Sequence, residues 1–122
     1  MSAPVLRAVR GAITVPADTS EEIRQGTSEL LRTLLERNGL AHDDLVSIIF
    51  TVTHDLVSDF PAVAAREIGL ANVPLLCSQE IPVVGSMPHC IRVMIHCYAP
   101  LDRQIRHVYL RDARQLRLDL PE

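Results

Sequence analysis

The sequence predicts an α+β domain, a mixed β-sheet with two helices on one face. Three observations carry that expectation. Strand-length runs of β-branched and small apolar residues recur along the chain, two segments of helical periodicity lie between them, and the resulting order is β-α-β-α-β-β-β. Two helices suffice to cover one face of such a sheet, so the other face is expected to pack on another subunit.

Residues 5–15, VLRAVRGAITV, are the first predicted strand, ended by a Pro-Ala-Asp-Thr-Ser turn cluster and carrying Arg7 and Arg10 on opposite faces. Thr19 or Ser20 then caps a helix in which Ile23, Leu30, Leu31, Leu34 and Leu35 recur at helical spacing. Glu21 and Glu22 suit the positive end of that helix, Asn38-Gly39 stops it, and Gly26 within it is a modest local cost. After a His-Asp-Asp turn, LVSIIFTVT at 45–53 reads as a buried strand. FPAVAAREIGL gives a short second helix, with Pro61 at its first position, Arg66 on it and Gly69 as its stop. Residues 74–79, PLLCSQ, are a short strand, VVGSMP a loop, residues 90–99 a strand, and Arg103 to Leu110 a last strand before a short polar tail.

The stretch PHCIRVMIHCYAP, Pro88 to Pro100, shows the sheet's two faces most clearly. Alternation puts Ile91, Val93, Ile95 and Cys97 on a core face and Cys90, Arg92, Met94, His96 and Tyr98 on a mixed one. An unpaired guanidinium is costly to bury, so Arg92 needs an anionic partner or a cavity.

With 122 residues, 48% hydrophobic and 22% charged, the chain is sized for a single globular domain, residues 1–122. Its apolar runs fall far short of the roughly 20 residues of a membrane span. The start, MSAPVLRAVRG, has arginines where a signal peptide is apolar, so the expected location is cytoplasmic. A net charge of −3, no basic run and few aromatic residues exclude a nucleic-acid binder. Cys77, Cys90 and Cys97 are odd in number and lack CxxC spacing, which argues against disulfides and a structural zinc site. All 12 basic residues are arginine; without lysine, Schiff-base chemistry, pyridoxal phosphate attachment and a P-loop are excluded. Coding bias is a sufficient reason for most of those arginines.

The histidines at 42, 54, 89, 96 and 107 do not pair at metal-binding spacing, so no metal is expected. His54-Asp55 lacks a nucleophile elbow or oxyanion signature and reads as capping or turn chemistry. Cys77, without a basic neighbour to lower its pKa, reads as a buried thiol rather than a nucleophile. The remaining signal is Arg10, Glu80 and Arg92 set in apolar strands, with Arg66 on the short helix. Each alone is compatible with an internal ion pair; together they suggest a pocket for a small anion with more than one carboxylate.

Five segments in order, VRGAITV, FPAVAAREIG, VPLLCSQE, HCIRVMIH and IRHVYL, resemble the monofunctional trimeric chorismate mutases of Bacillus and relatives (the AroH class), distinct from the all-helical mutases. The resemblance covers nearly the whole chain. It implies a chorismate-mutase-like, ferredoxin-like subunit forming a trimeric pseudo-barrel, with three active sites at the subunit interfaces. It implies the [3,3] pericyclic rearrangement of chorismate to prephenate, in phenylalanine and tyrosine biosynthesis, without cofactor or metal. By motif, Arg92 would donate to the ether oxygen as the bond breaks, and Glu80 would accept from the ring hydroxyl near developing positive charge. Arg10 and Tyr109 would hold carboxylates, and Cys77 would be a polar contact. Arg66 and Phe60 would sit at the pocket mouth, Leu75, Leu76 and Leu116 would be walls, and Arg117 would cover the site. Two departures stand out: Val63 occupies a position where some members carry lysine, and the tail stops at Glu122.

Two other functions fit the same features less well. A trimeric imine or enamine hydrolase of similar subunit architecture also uses an interfacial arginine, but VRGAITV and LLCSQE argue against it. A non-enzymatic trimeric regulator would bind an aromatic-pathway carboxylate without turnover.

Overall fold

The computed structural model describes residues 3–119. Strand β1 (Pro4–Thr14) leads into helix α1 (Ser20–Arg37), which is followed by a 3-10 turn (His42–Asp44) and β2 (Leu45–Val52). Helix α2 (Ala62–Glu67), β3 (Leu75–Gln79), β4 (Cys90–Pro100), β5 (Val108–Leu110) and a 3-10 segment (Arg111–Leu116) complete the chain.

The strands form one sheet in the order β3-β2-β4-β1-β5. Central β4 runs antiparallel to both β1 and β2, whereas β3 pairs parallel with β2 and β5 parallel with β1. The β1-α1-β2 unit is thus split by an antiparallel strand, the ferredoxin-like motif. In place of a second such unit, β3 and β5 extend the two edges. The sheet is mixed and both helices lie on one face, as the sequence predicts.

Helix α1 starts where Thr19 Oγ1 accepts the Glu22 N–H at 3.1 Å, and its apolar stripe, Ile23, Leu30, Leu31 and Leu34, is fully buried. Those side chains meet Val9, Ile13, Phe50, Ile91, Val93 and Ile95 from the sheet and Ala62 and Ala65 from α2. Each large one contributes about 1.5–3 kcal/mol by leaving water. Gly26 has a packing purpose: a Cβ there would lie 2.7 Å from Val15 Cγ1, so glycine lets α1 approach the end of β1. Gly11 likewise admits the carbonyl of Val108, which a Cβ would meet at 2.8 Å.

Two expectations need correction. The last strand spans three residues rather than Arg103 to Leu110. Asn38, buried at the end of α1, donates from Nδ2 to the Arg106 carbonyl at 2.9 Å and accepts the Arg106 N–H at 2.7 Å, while Arg103 Nη1 donates to the Asn38 carbonyl at 2.9 Å. These bonds hold the approach to β5 against the helix end instead of in the ladder. The supposed polar tail forms the 3-10 segment, held by Asp112 N–H donating to Thr14 Oγ1 and by the buried Ala113. The tail end at Glu122 lies outside the described residues.

Candidate active site

On the face of the sheet away from the helices, one row runs across all five strands in register: Ser78, Thr51, Arg92, Ala12 and Tyr109. Arg92 lies on the central strand of that row. Its Nε donates to Glu80 Oε1 at 3.2 Å and lies 3.1 Å from Oε2. Glu80 is not within a strand, as the sequence suggested, but immediately past β3, where its N–H donates to the Val52 carbonyl at 2.8 Å. That bond fixes its backbone beside β2, and Thr51 Oγ1 donates to its Oε2 at 2.6 Å. The pair is half-buried, with side chains 31% and 20% exposed for Arg92 and Glu80. Among the described residues, the Arg92 side chain bonds only through Nε, with neither Nη group engaged by Glu80.

Around this pair stand further cations and one phenol. Arg10, exposed on β1 opposite Met94, shares the face of Arg92. Tyr109 packs with Ala12, Cys90 and Ala113, and Leu116 and Met87 border the cluster. Arg117 lies over the Tyr109 ring, 5.9 Å from its centre, and is held by Asp119 through two bonds of 3.1 Å. His107 Nδ1 accepts the Arg10 N–H at 3.0 Å. Burial first, then the nearby Arg117 and Arg10 charges, push the His107 imidazole below its ordinary value, so it is neutral at physiological pH. Burial pushes the Cys90 thiol up to about 11, which keeps it protonated and inert.

The other residues singled out from sequence lie elsewhere. Leu75 and Cys77 are in register with Ile48 and Phe50 and pack against the core on the helix side, not beside Arg92. Leu76, 62% exposed, is on the open face but at the sheet's edge. Phe60 and Cys77, with Val57, Asp59 and Ser78, line a separate cleft of about 370 Å³ between the start of α2 and β3. Arg66 is exposed on α2 and its charge is the least of the influences that lower the Asp59 carboxyl, after the Ser20 hydroxyl bond, the Phe60 N–H and the Arg24 charge. One chain therefore brings together Arg10, Glu80, Arg92, Tyr109, Leu116 and Arg117, and separately gathers Phe60, Cys77 and their neighbours.

His54-Asp55 is turn chemistry. Asp55 accepts the His89 N–H at 3.0 Å and the Thr53 hydroxyl, tying the end of β2 to the start of β4, where His89 has φ of 51°. Partial burial pushes the Asp55 carboxyl up, but the Thr53 bond, the His89 N–H and the His89 ring outweigh it and hold it below the usual value. Among the described residues no group of His, Cys, Asp and Glu could hold a metal ion, and no helix is long and apolar enough to cross a membrane. Thr51 is the residue that sequence reading missed. Its trace was the period-two placement of Ser47, Thr51 and Thr53 in LVSIIFTVT, which puts hydroxyls on the Arg92 face.

A mixed five-stranded sheet, with helices on one face and an arginine-carboxylate pair on the other, defines the class as a small α+β protein with a polar site on its open face. A solved structure of this class, chorismate mutase from Clostridium thermocellum, superposes with a TM-score of 0.85 at 48% identity, over 89% of this chain and 98% of that one. The chain is 54% identical to chorismate mutase AroH of Thermus thermophilus over 95% of its own length and 97% of the relative's. It is 45% identical to chorismate mutase AroH of Bacillus subtilis, over 95% and 93%. The family model for chorismate mutase type I matches residues 6–120. The chain belongs to the type I chorismate mutase family. The imine hydrolase reading gains no support from these matches.

Proposed function

We propose that the chain is an isomerase that converts chorismate to prephenate, serving phenylalanine and tyrosine synthesis in the cytoplasm. The observation that carries this is the Arg92-Glu80 pair on the open face of a type I chorismate mutase chain, with both Arg92 Nη groups left to a ligand. The rearrangement is unimolecular and asks for no nucleophile, cofactor or metal. What speeds it is a compressed chair-like substrate and charge held where charge develops.

In this reading Arg92 donates its Nη groups to the ether oxygen as it gains negative charge. Glu80 accepts from the ring hydroxyl and lies near the ring, which becomes positive. Arg10 and Tyr109 hold carboxylates, with Arg117 and Leu116 closing over them. Because the substrate is a dianion and the chain's net charge is −3, these arginines supply the local field that draws it in. The half-buried Val63 brings no charge to the rim, which weakens that field where some relatives have lysine.

The site is completed by a second copy. The split between the Arg92 group and the cleft of Phe60 and Cys77, with Arg66 on the adjoining α2, supports a homotrimer in which one chain's open face meets its neighbour's cleft. Exposed apolar side chains on that face, Leu6 at 58% and Tyr98 at 50%, support the same pseudo-barrel assembly. Leu75 and Leu76 then become walls of the shared pocket.

Purified protein incubated with chorismate and followed by the fall in its absorbance tests the reading directly. Prephenate formation with a rate nearly flat from about pH 6 to 8 is expected, since no proton passes to or from the enzyme. A steep histidine-like titration in that range contradicts it. Tight binding of a bicyclic transition-state mimic without any turnover would instead make the chain a regulator.

A further inference from the structure

We infer that Thr51 is a positioning residue, whose hydroxyl keeps Glu80 from closing the Arg92 fork; this rests on the mutase reading of the site. The geometry leaves Glu80 a choice of partners. A carboxylate facing a guanidinium ordinarily takes two parallel N–H bonds, one from each side of the fork. Here both carboxylate oxygens face Arg92 Nε alone, Oε1 at 3.2 Å and Oε2 at 3.1 Å, and Oε2 is held there by Thr51 Oγ1 at 2.6 Å. The hydroxyl can do so because Thr51 and Arg92 are directly paired between β2 and β4, and because the Glu80 N–H is tied to the Val52 carbonyl. Thr51 is itself half-buried on a central strand, where its β-branched side chain has little rotamer freedom.

One consequence follows from that bond. The Arg92 Nη groups stay open to an oxygen that becomes negative only during reaction. Without the hydroxyl, nothing but Arg92 holds Oε2, and the carboxylate can slide from Nε onto an Nη group, so that the fork closes on Glu80 instead of on substrate.

The test compares Thr51→Val, which keeps the branched shape without a donor, with Thr51→Ser, which keeps the donor, and with Glu80→Gln. For Thr51→Val, kcat is expected to fall by about ten- to a hundredfold, the scale of one bond to a charged group. KM and the urea unfolding midpoint should hardly change. Thr51→Ser should restore kcat. Wild-type kcat in Thr51→Val overturns the inference, as does a Thr51→Ser enzyme equally impaired. A slowed Thr51→Val enzyme whose unfolding midpoint falls with its kcat also overturns it, since that would be a structural effect. Glu80→Gln separates the two levels. If it is crippled while Thr51→Val is normal, only the role of Thr51 falls, whereas wild-type turnover in Glu80→Gln removes the reading of the site itself.

Discussion

Replacing Arg92 by lysine keeps a positive charge on β4 but removes the fork. The guanidinium bonds Glu80 through Nε at 3.2 Å, and in the proposed reading its Nη groups serve substrate at the same time. An ammonium is a single point donor, and with Glu80 held in place by Thr51 it settles on that carboxylate, leaving nothing aimed at the ether oxygen. Loss of one preorganised donor at a developing negative charge costs about 2.7–4 kcal/mol, or roughly 10²–10³ in kcat. Arg92 presents two such groups, so the expected fall is at least about a thousandfold. Stability should hardly move: the side chain is 31% exposed and the ion pair keeps both its charges, so the change stays within about 1 kcal/mol. Initial rates of chorismate loss at saturating substrate, paired with urea denaturation, measure both quantities. A folded Arg92→Lys enzyme with kcat within about tenfold of wild type would refute the electrostatic reasoning.

Two further outcomes follow from the surroundings of the site. Because burial and the Arg117 and Arg10 charges depress the His107 pKa from 6.5, the unfolded chain takes up a proton first as pH falls. Stability is therefore full above about pH 6.5 and declines below it until His107 itself protonates and gives up the Arg10 N–H; His107→Asn should flatten that part of the urea-midpoint profile. Gly11→Ala would force a Cβ to 2.8 Å from the Val108 carbonyl and 3.0 Å from Leu30 and Leu34. It should lower the unfolding free energy by about 1–3 kcal/mol and loosen the β1-β5 pairing that carries Tyr109, seen as faster amide exchange at Val108 and Leu110.

Helix α1 was legible in the sequence because its information is local: the Thr19 cap, the Leu30-Leu31-Leu34-Leu35 stripe and the Asn38-Gly39 stop all lie within the element. The two faces of β4 were legible for the same reason, since alternation alone separates Ile91 and Val93 from Arg92 and Met94. What escaped depends on distant partners. Nothing in RQIRHVYL announces that Asn38, 68 positions from Arg106, holds its first half out of the sheet. The 3-10 segment after β5 depends on Thr14 at the far end of the chain. At the site, residue identities came from resemblance, and spacing suggested no more than an anion pocket. The side of β3 that carries Cys77 follows from its register with Phe50, and Thr51 looked like an ordinary β-branched strand residue until Glu80 was found against it.

In the proposed assembly, Arg92 of one chain and the Phe60-Arg66 surface of another build one site. Coexpressing an Arg92→Ala chain with a Phe60→Asp/Arg66→Glu chain, each inactive alone, and isolating the mixed trimers by two tags tests it. In every mixed trimer, whichever chain is present twice, one interface in three pairs the intact half of one chain with the intact half of its neighbour, so about a third of wild-type activity should return. If both halves of the site come from a single chain, no mixed trimer has an intact site, and its activity would be no greater than that of the two parents.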